Sequence, residues 1–295
     1  MSKVFSFGIA VFVVMSAALA NAQVKSEASP NYETGFTSYL EFGGSTNSIG
    51  QVYQLDSSVG YTFTPHFGID FGIPVYFVNT SSSNGSNSSS GVGNPSVDLR
   101  WKYPHPSINY ATVLTGSAPL GNKTLGLSTG HATFDWTNHF DHAFNLVVPF
   151  AEAGFSNTTS DSRLFVRPYT TFGLNAHFRG GMEVDVWKFI SVGAAGYDIA
   201  PFGNQTVFSR VVGRSSTVSP VTGPGSGRGL GFNTGHQTTG TSSIAVDDGF
   251  STWLDVSLNK YTDAEIAFTR SVQFNLNSVS FSIGFNVGRL LRGGK

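Results

Sequence analysis

Gln51-Val-Tyr-Gln-Leu-Asp-Ser-Ser-Val-Gly-Tyr-Thr-Phe63, then Thr64-Pro65-His66, then Phe67-Gly-Ile-Asp-Phe-Gly-Ile-Pro-Val-Tyr-Phe-Val78 reads as two strands and the turn between them. In the first strand Tyr53, Leu55, Val59, Tyr61 and Phe63 share one parity, against Gln54, Asp56, Ser58, Gly60 and Thr62. In the second, Phe67, Ile69, Phe71, Ile73, Val75 and Phe77 alternate with Gly68, Asp70, Gly72, Pro74 and Tyr76. A period of two sends one set to each face of a sheet. Pro65 fixes φ for a tight turn. Each strand has roughly ten or more residues, enough to cross a bilayer at a tilt and longer than the usual soluble strand of about 5–6. The hairpin has one greasy face, and the chain repeats it.

The spacing predicts twelve strands in an antiparallel up-and-down transmembrane β-barrel. They fall at 35–43, the two of the hairpin, 96–103, 107–116, 131–140, 143–155, 169–186, 190–199, 251–259, 261–270 and 277–288. The strand at 143–155 has the least clean parity. Connections after the even-numbered strands are two or three residues long. Those after odd-numbered strands through the ninth are longer and polar, with residues 79–94 and 200–248 too rich in Ser, Asn, Thr and Gly to pack. Short turns on one side and longer loops on the other are expected of an outer-membrane barrel. Phe63, Phe67, Tyr103, Phe140, Phe144, Trp187, Phe189 and Tyr261 crowd the short-turn ends, as an interfacial girdle requires. A secreted β-sandwich or β-solenoid would also alternate, but with shorter strands and no reason for connection lengths to alternate.

Composition agrees. Only 12% of the 295 residues are Asp, Glu, Lys or Arg, about half the ~25% of soluble chains. The chain has 26 Phe and 35 Gly, yet its mean hydropathy is -0.01, so apolar and polar residues are finely interleaved. A net charge of -1 gives no basic face for nucleic acid, and the absence of cysteine excludes disulfides and thiolate metal sites. At the N-terminus Lys3, an apolar run to about Leu19, and Ala20-Asn21-Ala22 follow the order of a cleaved secretory signal peptide. The expected organisation is a signal peptide at 1–22, a periplasmic lead at 23–34, the barrel at 35–288 with its long external loop at 200–248, and a tail at 289–295. The expected location is the outer membrane of a diderm bacterium. Expected partners are membrane lipid and lipopolysaccharide, a small-molecule solute, and the barrel-assembly machinery during biogenesis.

If the apolar parity meets lipid, the other parity lines the lumen. Asp56, Asp98, Arg100, Lys102, Arg179, Glu183 and Asp185 are then the candidates for solute selectivity. Paired with one another, the same charges would instead stiffen a closed interior, and about twelve strands lies between a filled and an open barrel. His131, Thr133 and Asp135 share one strand face and loosely resemble the His and Ser pairing of outer-membrane phospholipases. The hydroxyl here is a threonine's, and the spacing does not by itself assemble a nucleophile, a base and an orienting group. The sequence therefore carries no catalytic set, no metal site and no cofactor motif. Asp247-Asp248 reads as a solvated loop pair.

One block resembles a known family. Gly91-Val-Gly93-Asn94-Pro-Ser96-Val-Asp98-Leu-Arg100-Trp-Lys102-Tyr103, followed by Thr115-Gly-Ser-Ala-Pro119-Leu-Gly121-Asn122 and Gly126-Leu-Ser-Thr-Gly130, is similar to bacterial outer-membrane proteins named for the meta-pathway of phenol degradation. That family shows a Gly-x-Gly-Asp strand opening, a Pro-x-Gly loop and a Gly-x-Gly loop. Here Asn94 stands where Asp is usual, Leu120 where Thr is common, and the chain does not end in an aromatic residue. The resemblance covers residues 91–155 and implies a barrel that passes small molecules, apolar or aromatic ones among them. It implies no catalytic residue. The alternatives are a barrel-embedded hydrolase for lipid or ester and a plugged structural barrel.

Overall fold

The computed structural model describes residues 34–48, 50–82, 85–122, 127–128, 130–158, 169–209 and 237–291. The expected signal peptide and most of the lead lie outside them. Among the described residues sixteen strands form: β1 Gly35–Asn47, β2 Gly50–Thr64, β3 Phe67–Ser82, β4 Gly85–Val92, β5 Ser96–Tyr103, β6 Asn109–Ser117, β7 Thr133–Asp141, β8 Val147–Ser156, β9 Tyr169–Phe172, β10 Asn175–Trp187, β11 Ile190–Pro201, β12 Asn204–Ser209, β13 Gln237–Thr241, β14 Asp247–Asn259, β15 Thr262–Ser271 and β16 Leu276–Asn286. Twelve of them close a ring in the order β1-β2-β3-β5-β6-β7-β8-β10-β11-β14-β15-β16, each pairing antiparallel. Closure comes from β1 against β16, in register from Tyr39 opposite Asn286 to Asn47 opposite Ser278. No described helix is long and apolar enough to cross a membrane.

The outward parity is the apolar one. Phe71 is 51% exposed and Trp101 also 51%, values that make sense only if lipid covers them. From Phe67 to Phe77 the belt on β3 spans roughly 25 Å after tilt, the height of a barrel's apolar band. Outward polar atoms are paired within the wall. The Trp136 indole donates to Thr112 Oγ1 at 2.8 Å and the Tyr110 hydroxyl to Asn138 Oδ1 at 2.7 Å. At the short-turn end Phe63 stacks on Phe67 at 5.8 Å, Phe67 meets Trp101 at 6.1 Å, and Lys260 lies 4.8 Å over Tyr261.

Two stretches differ from the sequence expectation. Residues 79–94 are largely strand: β3 runs on to Ser82 and pairs with β4. β4 and β5 both lie along β3 and form one wall position, interrupted at Gly93-Asn94-Pro95, where proline has no N–H to give the ladder. Within 200–248, β12 and β13 extend the wall, and the fourteenth strand begins at Asp247 instead of 251. β9, β12 and β13 form a second sheet in the same order as β10, β11 and β14 below it. The two tiers meet where the Gln205 amide donates to the carbonyls of Leu174 (2.9 Å) and Phe202 (3.0 Å). In this upper tier the buried face is itself largely polar, with Thr171 and Gln205 both 0% exposed, so hydrophobic alternation vanishes although the backbone pairing continues. Two of the longer connections therefore shrink to residues 48–49 and 83–84.

The last strand stops at Asn286, whose side chain accepts the Arg289 N–H (2.9 Å) and caps a helical turn, α1, Val287–Leu291. The wall thus ends two residues before the expected 288. Phe71→Arg, at the middle of the belt, is expected to destabilise the barrel by about 2–4 kcal/mol. Urea unfolding in phospholipid vesicles measures this, with the lumen-facing Ser58→Arg costing markedly less.

Candidate functional site

The inward parity builds a polar lumen. On β5, Arg100 lies across Gly68 and pairs with Asp70 of β3. Asp70 also accepts from Thr37 of β1 (2.8 Å), and Asp98 accepts from Thr115 of β6 (2.6 Å). Further round, His139 of β7 contacts Glu152 of β8 (3.0 Å) and Asp141 (3.3 Å), and Arg179 of β10 faces Glu152 at 3.6 Å. His177 lies 3.3 Å from Asp135, at an angle that makes no hydrogen bond. His139 and Asp141 share β7, and each of the other contacts joins strands that are adjacent or one apart, so the charges pair along the wall and not across it. Their side chains keep between 13% and 39% exposure, where a packed interior would bury them.

Contacts that skip a strand need a glycine on the strand between. Thr37 reaches Asp70 over Gly60, Tyr39 reaches Asp263 (2.9 Å) over Gly284, His177 reaches Asp135 over Gly154, and Trp253 reaches Glu183 (3.4 Å) over Gly193. A Cβ at any of the four would strike the crossing side chain or the carboxylate it reaches. Trp253 is consequently laid flat against the wall, 9% exposed, among Ala195, Ala267 and Phe150. Arg179 lies over its ring at 4.9 Å and over the Phe150 ring at 5.3 Å.

The charge is unevenly spread. On the arc β14-β15-β16-β1-β2 the lumen carries Asp255, Glu265, Asp263, Glu41 and Asp56, and among the described residues no Lys or Arg. Asp255 stands directly opposite Glu265, and Glu41 opposite Asp56, so carboxyl groups face each other on adjacent strands. Arg100 and Lys102 lie on β5 and Arg179 on β10, on the other side of the ring.

All seven residues expected from the sequence sit on the inward parity. Asp98 and Arg100 gather around Asp70, and Arg179 and Glu183 meet at Trp253. Asp56, hydrogen-bonded by the Gln54 amide at 3.1 Å, belongs to the acidic arc. Lys102 and Asp185 lie near the short-turn end, where their backbone N–H groups reach His66 and Leu146. His131, Thr133 and Asp135 do not form one cluster: His131 stacks on Phe172 at 4.5 Å, Thr133 bonds Ser117, and Asp135 faces His177. Asp247 is no solvated loop residue. It is 0% exposed and accepts from Ser271 (2.5 Å) and Tyr197 (3.2 Å). Sequence reasoning missed Phe150 and Glu152, because β8 mixes Phe, Glu and Gly on its inward face with Ala and Pro on its outward one. Trp253 was visible as the large aromatic on a polar parity.

The family-like block has a structural role. Asn94 Oδ1 accepts from the Gly121 N–H (3.1 Å), tying the β6–β7 connection to the β4–β5 break. Leu127 of that connection then packs on the lumen-facing Val52, Tyr76 and Val78.

No family model and no curated protein matches the sequence. Solved structures do. An outer membrane channel from Pseudomonas putida F1 aligns with a TM-score of 0.52 at 10% identity, over 88% of this chain and 99% of that one. The KdgM porin, solved in complex with disordered oligogalacturonate, gives 0.49 at 6% identity over 84% and 98%. The NanC porin gives 0.47 at 7% identity over 84% and 99%. The fold is that of a bacterial outer-membrane barrel, and the apolar belt is the physical reason the chain resides in that membrane.

Gly193→Val is expected to displace Trp253 and lower the temperature at which the folded, fast-migrating band is lost on gels. Gly196→Ala, whose added carbon comes no nearer than 3.8 Å to the Gly249 carbonyl, is expected to leave it unchanged.

Proposed function

We propose that the barrel is a passive conduit for small solutes, with its long-loop end facing outward toward lipopolysaccharide and its termini in the periplasm. The observation that carries this is the wall itself: charged side chains, 13% to 39% exposed, that pair with neighbours along the wall instead of packing across the lumen. Apolar or aromatic solutes are among those we propose to pass, with lumen-facing Tyr39 and Tyr197 as surfaces to slide along. Asp56, Asp98, Arg100, Lys102, Arg179, Glu183 and Asp185 would set selectivity, and the arc without Lys or Arg favours cations. Folding would use the barrel-assembly machinery, since an unclosed sheet has no place in lipid.

Purified protein in a planar bilayer under a salt gradient tests this. Discrete conductance steps with a reversal potential favouring cations are expected. Replacing Arg100 and Lys102 together by Gln should move that potential further toward cations, most clearly at low salt where screening is weak. A barrel that shifts on gels when boiled but never conducts would point to a plugged interior.

A further inference from the structure

We propose that the wall at Trp253 is a binding subsite for small zwitterions, solutes carrying one carboxylate and one ammonium. The proposal rests on the conduit reading and names a substrate class for it. Arg179 is held by the faces of two rings, 4.9 Å over Trp253 and 5.3 Å over Phe150. Its nearest carboxylate, Glu152, is 3.6 Å away, beyond hydrogen-bond reach, and among the described residues the guanidinium makes no hydrogen bond. It is 39% exposed to the lumen. Arg100, by contrast, is closed on Asp70. An arginine fixed by its flat faces keeps its edge donors free, and that fork matches a carboxylate.

At the edge of the same indole, Nε1–H points to Glu183 at 3.4 Å. That bond uses one of the carboxylate's several acceptor positions and leaves the rest for an ammonium. Gly193 lets the indole lie between them, so a fixed cation and a fixed carboxylate flank one ring. A lone anion entering here is repelled by Glu152, Glu183 and Asp255, and a lone cation by Arg179. A zwitterion satisfies both ends and brings no net charge into the lumen.

Single channels in potassium chloride would receive γ-aminobutyrate, butyrate or butylamine in separate runs. The zwitterion is expected to interrupt the current at millimolar concentration, and the two singly charged analogues are not. Arg179→Gln and Glu183→Gln should each raise the half-blocking concentration about tenfold, the loss of one charge-assisted hydrogen bond. Each variant is compared with its own unblocked current, and its heat-dependent gel shift shows whether it folds. Ser58→Ala, on β2 and four strands from β14, should leave the block unchanged. Equal block by butyrate or butylamine overturns the zwitterion assignment. Steady conductance without block overturns the subsite and leaves the conduit standing, and absence of conductance overturns the conduit itself.

Discussion

Hydrocarbon offers no partner to a backbone N–H or C=O, and that constraint shapes the whole wall. A sheet in lipid must close on itself, which forces β16 to find β1 and leaves the chain with an even ring of antiparallel strands. Closure in turn assigns every residue of every strand to lipid or to lumen. The composition follows: Phe, Leu and Trp on one parity, hydroxyls, carboxylates and glycine on the other. Even the outward indole of Trp136 and the hydroxyl of Tyr110 find acceptors on the neighbouring strand.

Inside, the limiting resource is space beside the wall. Long side chains at neighbouring positions cannot all point to the centre of a narrow barrel without filling it. The chain lays several of them sideways over Gly60, Gly154, Gly193 and Gly284. This keeps the charged groups in contact with partners along the wall. Many of the 35 glycines are therefore not flexible points. At these four positions glycine is the only residue thin enough to pass beneath a tyrosine, a histidine, a tryptophan or a threonine–aspartate bond.

The architecture was legible in the sequence wherever one face of a strand meets lipid and the other meets water. Strands such as 67–78 and 96–103 could be placed from alternation alone, and so could the lumen side of Asp98, Arg100, Arg179 and Glu183. Legibility stopped where the buried face of a strand is itself polar, as at Thr171 and Gln205. The upper part of β3, with β4 and β13, is almost all Ser, Asn, Thr and Gly on both parities, and β12 (Asn204–Ser209) puts its two apolar residues, Val207 and Phe208, on opposite parities, so only backbone pairing marks these stretches as strand. It also stopped at β8, where an inward Phe150 breaks the polar pattern. The pairing of Arg179 with Trp253 depends on residues 74 positions apart and on an intervening glycine, and no local pattern encodes it. Asn94 is a milder case: its amide oxygen does what an aspartate oxygen would do, accepting the Gly121 N–H, so the departure from the family pattern leaves the tie intact.

The upper tier has a geometric consequence. β10, β11 and β14 continue upward through β9, β12 and β13, and β3 rises to Ser82 with β4 beside it. Between these two raised sections, on the side of β15, β16 and β1, the strands turn back within residues 272–275 and 48–49. The described wall is a cylinder cut obliquely. Its low side lies above the acidic arc, where Arg270 faces outward and holds the turn through Asn275 and Asn277, so the lumen wall below the low lip carries Glu41, Asp263 and Glu265 and, among the described residues, no inward arginine.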